Sequence, residues 1–379
     1  MTPEELASLP EVALLMARLC EIPSPSGREE EVAGAVREEL AGLAAEITED
    51  DAGERLPAGC GNIVASFPPT APGGTPIALC AHLDTVPISA PIEVDLVDGF
   101  LTNRHPTILG GDDKAAVAAM VVALRRVVAE GLPHAGIELV LTPCEEIGLR
   151  GAALLDQSRL RAEMCFVFDH TGPIGHIVER APSLCRIHAT FVGRASHAGI
   201  APEAGRSAID AAAKAIARMP LGRIDAATTA NVGMIEGGTA TNVVAERCRV
   251  TAEARSLDER ALSQQVSAML DALTWAATEA EVDLETRVVN EIAGYRLSPK
   301  DPQLATAVRA LRACGIEPET VATGGASDVN ALLAGGLPSV NLCNDLFDIH
   351  TPDERIAVAS LERLVDVTLA LIAAAQTGH

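Results

Sequence analysis

The feature that most restricts the fold is a recurring one. Short apolar runs rich in strand formers each close on a polar or acidic residue, with helix-like stretches between them. NIVASF (62–67), PIALCAHLDTVP (76–87), GIELVLTPCEE (136–146) and EMCFVFDH (163–170) read as strands, and DKAAVAAMVVALRRVVAEG (113–131) reads as a helix. Strands that are apolar along almost their whole length have no face to offer water. They predict an α/β fold whose central sheet is covered on both sides.

The rhythm changes near residue 182. SLCRIHATFVG, EAGRSAIDAAAKAIARM, TTANVGMIEG, ERCRVTAEARS, ERALSQQVSAMLDALTWAATEA and VDLETRVV follow in the order β-α-β-β-α-β, the split βαβ of a ferredoxin-like α+β sandwich. After residue 295 the first rhythm resumes with a helix at DPQLATAVRALRACG, a strand at PSVNLC and an amphipathic helix at SLERLVDVTLALIAAAQ. We therefore expect one domain made of residues 1–181 and 295–379, with a second domain, 182–294, inserted into it.

Composition narrows the partners. With 29 basic and 52 acidic residues the formal charge is -23, which repels phosphate backbones and anionic lipid, so neither nucleic acid nor a membrane surface is expected. The longest charge-free apolar run, AAVAAMVVAL, is half of what a bilayer span needs. The first residues, MTPEELASLPEVALLMARLCEIPS, form an acidic, helix-periodic stretch without the basic start of a secretory signal. Nine cysteines with no C-x-x-C pair suit buried thiols in a reducing compartment, and the expected location is the cytoplasm.

In open α/β sheets ligands bind beyond the carboxyl ends of the strands. Here those ends carry His82 with Asp84, Glu145 with Glu146, and Asp169, while the loop after PSVNLC carries His350. LGGDDK places Asp112 and Asp113 at a glycine turn that opens a helix. Singly, each has a plain explanation: Asp112 or Asp113 as a helix N-cap, His82 as a core histidine, the glutamates as a solvated strand end. Converging at one sheet edge, several carboxylates repel one another unless cations neutralise them. Two histidines and three carboxylates suit zinc or a similar divalent ion, and two ions sharing Asp112 make five protein ligands an economical set. Asp84, two residues after His82, is placed to hold the second ring nitrogen. Of two adjacent glutamates, one can bind metal while the other carries a proton.

HLDTVP, LGGDDKA, TPCEEIGLRGA, FVFDH, GRASHAG and IHTPDE resemble, in order and spacing, the motifs of the zinc-dependent aminoacylase, carboxypeptidase and peptidase T family. Stretches such as APEAGRSAIDAAAKAI and GGASDVNALLAGGLPSVNL are similar to its peptidase T-like branch. The resemblance implies that His82 and Asp169 hold one ion, that Glu146 and His350 hold the other, and that Asp112 bridges them. Glu145 is then the general base and acid for a water attacking an amide carbonyl. It further implies that the inserted domain is a lid and dimerisation domain, so that a homodimer is expected. His197 would stabilise the oxyanion, and Arg255 and Asn242 would grip a substrate carboxylate. Arg255 could equally snorkel from a strand end, and Thr-Asn at 241–242 is ordinary turn chemistry.

The implied cofactors are two divalent ions, Zn²⁺ first and Co²⁺ or Mn²⁺ as alternatives, and the substrate is a short peptide or N-acyl amino acid. The leading expectation is a tripeptide aminopeptidase-like enzyme. A carboxypeptidase or N-acyl amino acid deacylase on the same site is the alternative, and a non-catalytic metal-dependent carboxylate-binding protein is the minor one. Ala116, Asn344 and Asp345 depart from the glycine-rich family pattern and bear on pocket shape. Cys144 and His170 adjoin the ligands and are read as structural.

Overall fold

A computed structural model describes residues 8–377. The acidic N-terminal stretch is helical over Glu11–Cys20; the part of that expectation covering residues 1–7 lies outside the described residues. The chain divides into two units, one of residues 1–179, 296–322 and 327–379, the other of residues 180–295 and 323–326.

The first unit is built on a mixed sheet. Its strands β1 (Glu46–Glu49), β2 (Ile63–Phe67), β3 (Ile77–His82), β4 (Ile137–Thr142), β5 (Met164–Val167) and β6 (His176–Ala181) are joined by a later strand, Ser339–Leu342. The order is β1, β2, β4, β3, β5, Ser339–Leu342, β6. β3 runs parallel to both β4 and β5, and Ser339–Leu342 runs parallel to β5, so these four strands end at the same edge. Every residue of β3, β4 and β5 is buried, as runs without a polar face require. The mixed, partly antiparallel sheet arises at its flanks, where β2 runs against β4 and β6 against Ser339–Leu342.

The helix read from its alanine-rich run spans Gly111–Glu130 and stops at Gly131, whose φ of 62° is the left-handed conformation of a helix C-terminus. It packs on β3, on the helix Glu11–Cys20 and on the C-terminal helix Val358–Thr377. A smaller sheet pairs the hairpin Leu346–Phe347 and Arg355–Ala357 with Phe100–Asn103, and that strand with Val94–Val97. The hairpin loop, 348–354, carries His350.

In the second unit β7 (Ser183–Val192), β8 (Thr228–Gly237), β9 (Arg247–Ser256) and β10 (Asp283–Ile292) form an antiparallel sheet of order β8, β9, β7, β10, the ferredoxin-like order. Alternate residues Cys248, Val250, Ala252 and Ala254 of β9 are buried with the alanine face of the helix Ala208–Arg218 and with Met269 and Leu273 of the helix Glu259–Glu279. This period-2 alternation leaves Arg247, Arg249, Glu253 and Arg255 on the opposite face. The cysteines are all free thiols, and only Cys314 is not buried. Among the described residues no helix is long and apolar enough to cross a membrane.

Candidate metal centre

β3 ends on His82, while β4 ends at Thr142, before Pro143, and the chain turns through Cys144 (φ 56°) to present Glu145 and Glu146. β5 ends at Val167, two residues before Asp169. Parallel register aligns these exits: His82 is opposite Thr142 and Cys80 opposite Val167. Asp112 comes from the first turn of the helix Gly111–Glu130, where its backbone is not helical (φ −80°, ψ 105°) and its peptide bond to Asp113 is cis.

The structure brings the candidate ligands together. Asp112 divides its two oxygens: Oδ1 lies 3.4 Å from His82 Nε2 and Oδ2 lies 3.2 Å from His350 Nε2. Asp169 Oδ1 is 4.0 Å from His82 Nε2, and Glu146 Oε1 is 3.0 Å from His350 Nε2. Two sets of three donors, His82 with Asp112 and Glu146, and His82 with Glu145 and Asp169, each have ligand atoms within 4.8 Å of one another. These sets cut across the pairing that the family resemblance implies, because Glu145 and Glu146 both lie close to His82.

The electrostatics explain what such a cluster needs. Burial alone would push the His82 imidazole down, but Asp112 and Asp84 outweigh it and raise it well above the usual histidine range. Hydrogen bonds to Asp112 and Glu146 push His350 up to about 10. Burial and then the Asp112 charge push the Asp169 carboxyl up, and burial and then Asp169 do the same to Glu145. These shifts share one cause, carboxylates crowded together out of water, and a bound cation would relieve it. A donor set of imidazole nitrogen and carboxylate oxygen, with excess negative charge, fits divalent zinc, cobalt or manganese.

Asp84 differs in detail from the expectation. His82 Nδ1 is held by the backbone carbonyl of Asp84 at 2.9 Å, with its carboxylate Oδ1 at 3.5 Å. That carboxylate accepts instead from Glu145 N (2.9 Å), Glu146 N (3.2 Å) and Ser26 Oγ (2.6 Å). The reason is positional: β3 stops at His82, so Asp84 lies beyond the pleat and reaches across to the neighbouring turn. It ties the glutamate pair to the histidine.

Other supports had no local signal. Asn341 accepts from Asp169 N (2.9 Å) and donates to Asp169 O (2.7 Å), and the buried Glu354 holds the Asp112 turn. Cys144 directs its thiol to Glu29, 3.4 Å away, a structural contact. Asn344 donates to Phe168 O at 2.9 Å and so fixes the approach to the hairpin. His170 is half-buried, and burial lowers its imidazole. A groove of about 740 Å³ beside Glu46, Ser66 and Glu138 contains none of the candidate ligands.

His197, Asn242 and Arg255 belong to the second unit. His197 and Asn242 are exposed and lie on paired loops, Ala198 N donating to Asn242 O at 2.9 Å. His197 Nδ1 accepts from Gly199 N at 3.2 Å. Arg255 Nε donates to Glu253 on its own strand at 2.9 Å, which presents the guanidinium along the open sheet face.

Comparison with known proteins bears on all of this. Residues 62–192 match peptidase family M28, and residues 182–281 match the M20 peptidase dimerisation domain. An uncharacterised protein of Bacillus subtilis, YqjE, is 35% identical over 354 residues, 93% of this chain and 95% of its own length. The crystal structure of aminopeptidase PepT from Bacillus cereus superposes with a TM-score of 0.84 at 36% identity, covering 96% of this chain and 98% of that one. A tripeptidase from Staphylococcus aureus gives a TM-score of 0.88 at 33% identity over 97% and 98% of the two chains.

Proposed function

Because the chain belongs to the peptidase T-like M20 metallopeptidases, we propose that it is a dinuclear metal-dependent aminopeptidase acting on tripeptides. The observation that supports this most directly is the division of Asp112 between His82 and His350. Asp169 completes the His82 side and Glu146 the His350 side. Bound there, two divalent ions supply Lewis acidity toward the scissile carbonyl and make water a better nucleophile at neutral pH. Zinc is the ion proposed first.

The chain's own residues do the rest. With Asp112, Asp169 and Glu146 assigned to the ions, Glu145 is the carboxylate left for proton transfer, and its ligand atom lies within 4.8 Å of those of His82 and Asp169. It takes a proton from the attacking water and returns it to the leaving amine nitrogen. Asp84 holds Glu145 and Glu146 by their backbone amides, so the acid–base carboxyl and the ligand carboxylate keep their separate directions. His197 stabilises the oxyanion, while Arg255, a planar fork suited to carboxylates, and Asn242 bind the substrate's C-terminal carboxylate. Replacing Arg255 by alanine tests that role: KM should rise for peptides with a free C-terminus and not for their amides, and equal effects would remove it.

Hydrolysis of free and N-acetylated tripeptides, with and without chelator and then Zn²⁺, tests the function. Chelator-sensitive cleavage of the free peptides alone supports the aminopeptidase. Cleavage of the acetylated set would replace it with a deacylase, and turnover that survives chelation would overturn the metal-dependent reading. The dimerisation-domain match over residues 182–281 supports a homodimer of the 39.3 kDa chain, and a monomer mass in light scattering would remove it. The free thiols support a cytoplasmic location, which fractionation would test.

A further inference from the structure

Asp112 sits where a helix begins, and a helix beginning needs acceptors for its first backbone N–H groups. The usual source is the N-cap side chain. Here the N-cap is Gly110, in the left-handed region at φ 73°, and it has none to offer. The acceptors come from Glu354, more than two hundred residues away. Its Oε2 accepts from Gly110 N at 2.9 Å and its Oε1 from Asp112 N at 3.0 Å.

Glu354 is only 2% exposed, and both its oxygens are committed to this turn. Other groups close the turn around it: the Cys20 thiol donates to Gly110 O at 3.3 Å. A side chain at Gly111 would come within 2.9 Å of Leu346 and Met16 and 3.2 Å of Glu354 Oε1. The buried ammonium of Lys114, which donates to Ile22 O at 3.0 Å, is the nearby positive charge.

Glu354 lies in the same hairpin loop as His350, four residues on, immediately before the strand Arg355–Ala357. His82 and Asp169 are placed by the sheet, one on a strand and the other two residues past one. His350 is not: it is 44% exposed, at φ 64°, in a loop. The hydrogen bonds that Glu354 accepts from the Asp112 turn join the backbone of one ligand to the loop of the other.

We propose that Glu354 is a positioning residue: by clamping the Asp112 turn to the hairpin that carries His350, it sets the Asp112–His350 spacing and hence the affinity for the ion they share. It does not touch substrate or ion. The proposal rests on the dinuclear reading above.

The test is a Co²⁺ titration of metal-free protein, read by cobalt absorption, beside thermal unfolding of the metal-free chain. Wild type should take up two ions. Glu354→Gln puts an amide NH₂ against one of the two backbone donors. It should weaken the ion on the His350 side about 10- to 100-fold, in the range for outer-sphere partners, and the ion on the His82 side, which shares Asp112 but keeps its sheet-placed ligands, clearly less. Glu354→Asp, too short to reach both donors, should weaken the same ion.

Two ions bound by Glu354→Gln with wild-type affinities would overturn the proposal. So would equal loss of both ions together with a lowered unfolding temperature of the metal-free chain, which would make Glu354 a core residue only. If Glu354→Gln does not fold, Glu354→Asp decides, and failure of both to fold overturns the positioning role. A wild type that binds fewer than two ions overturns the dinuclear reading itself, and this proposal with it.

Discussion

The two sides of the candidate metal centre are built differently. His82 is 2% exposed at the end of a strand buried on both faces, and its partner Asp169 follows a second such strand. His350 is 44% exposed in a loop, paired to the rest of the site through Asp112 and Glu146. One side is placed by close-packed sheet, whose cost of distortion is high, and the other by a few hydrogen bonds. If the two proposed ions bind there, the ion on the strand side should be held more firmly than the ion on the loop side.

That contrast can be broken or sharpened experimentally. The largest effect should come from Glu145→Gln, which removes a proton carrier and leaves the ligand donors in place. Ion content should stay at the wild-type level while kcat falls by about 10²- to 10⁴-fold. His350→Ala, on the loop side, should do the opposite, losing an ion first and regaining part of its activity in excess Zn²⁺. Metal analysis of both variants decides, and ion loss in Glu145→Gln with none in His350→Ala would reverse the assignment.

Stability should show the same asymmetry. Phe166 in β5 is fully buried, and Phe166→Ala should cost about 3–5 kcal/mol in denaturant unfolding. Phe347, in the hairpin, is 39% exposed, with an edge-type contact to the Phe100 ring (centroids 6.2 Å apart) and the Arg355 guanidinium 5.3 Å from its centroid. Phe347→Ala should therefore cost only about 1 kcal/mol. Equal costs would show the hairpin to be as firmly packed as the sheet.

Asp84→Asn probes the link on the strand side. It replaces one of the oxygens that receive Glu145 N and Glu146 N, so ion affinity should fall about 10- to 100-fold, measured by chelator competition. Unchanged affinity would show that the Asp84 carbonyl on His82 Nδ1, which the substitution keeps, suffices alone.

Much of the arrangement was legible in the linear order of residues. Apolar runs without a polar face could only be central strands, and polar residues at their ends could only gather at one sheet edge. The β-α-β-β-α-β order at 183–292 likewise allowed few foldings other than the antiparallel sheet of order β8, β9, β7, β10. Periodicity is local, and a single sequence carries it in full.

What the chain's linear order left open is which groups hold which. The Asp84 carboxylate could be placed near His82 from spacing, but its capture by Glu145 N and Glu146 N depends on where β3 stops relative to β4. Asn341 reaches Asp169 across 172 residues, and Glu354 reaches the Asp112 turn across 242. Residue types and their period along the chain determine strands, helices and candidate ligands, because those depend on neighbours a few residues away. The hydrogen bonds that aim the ligands join backbone and side chains that only parallel strand register and helix packing bring within 3 Å, and those the tertiary structure alone decided.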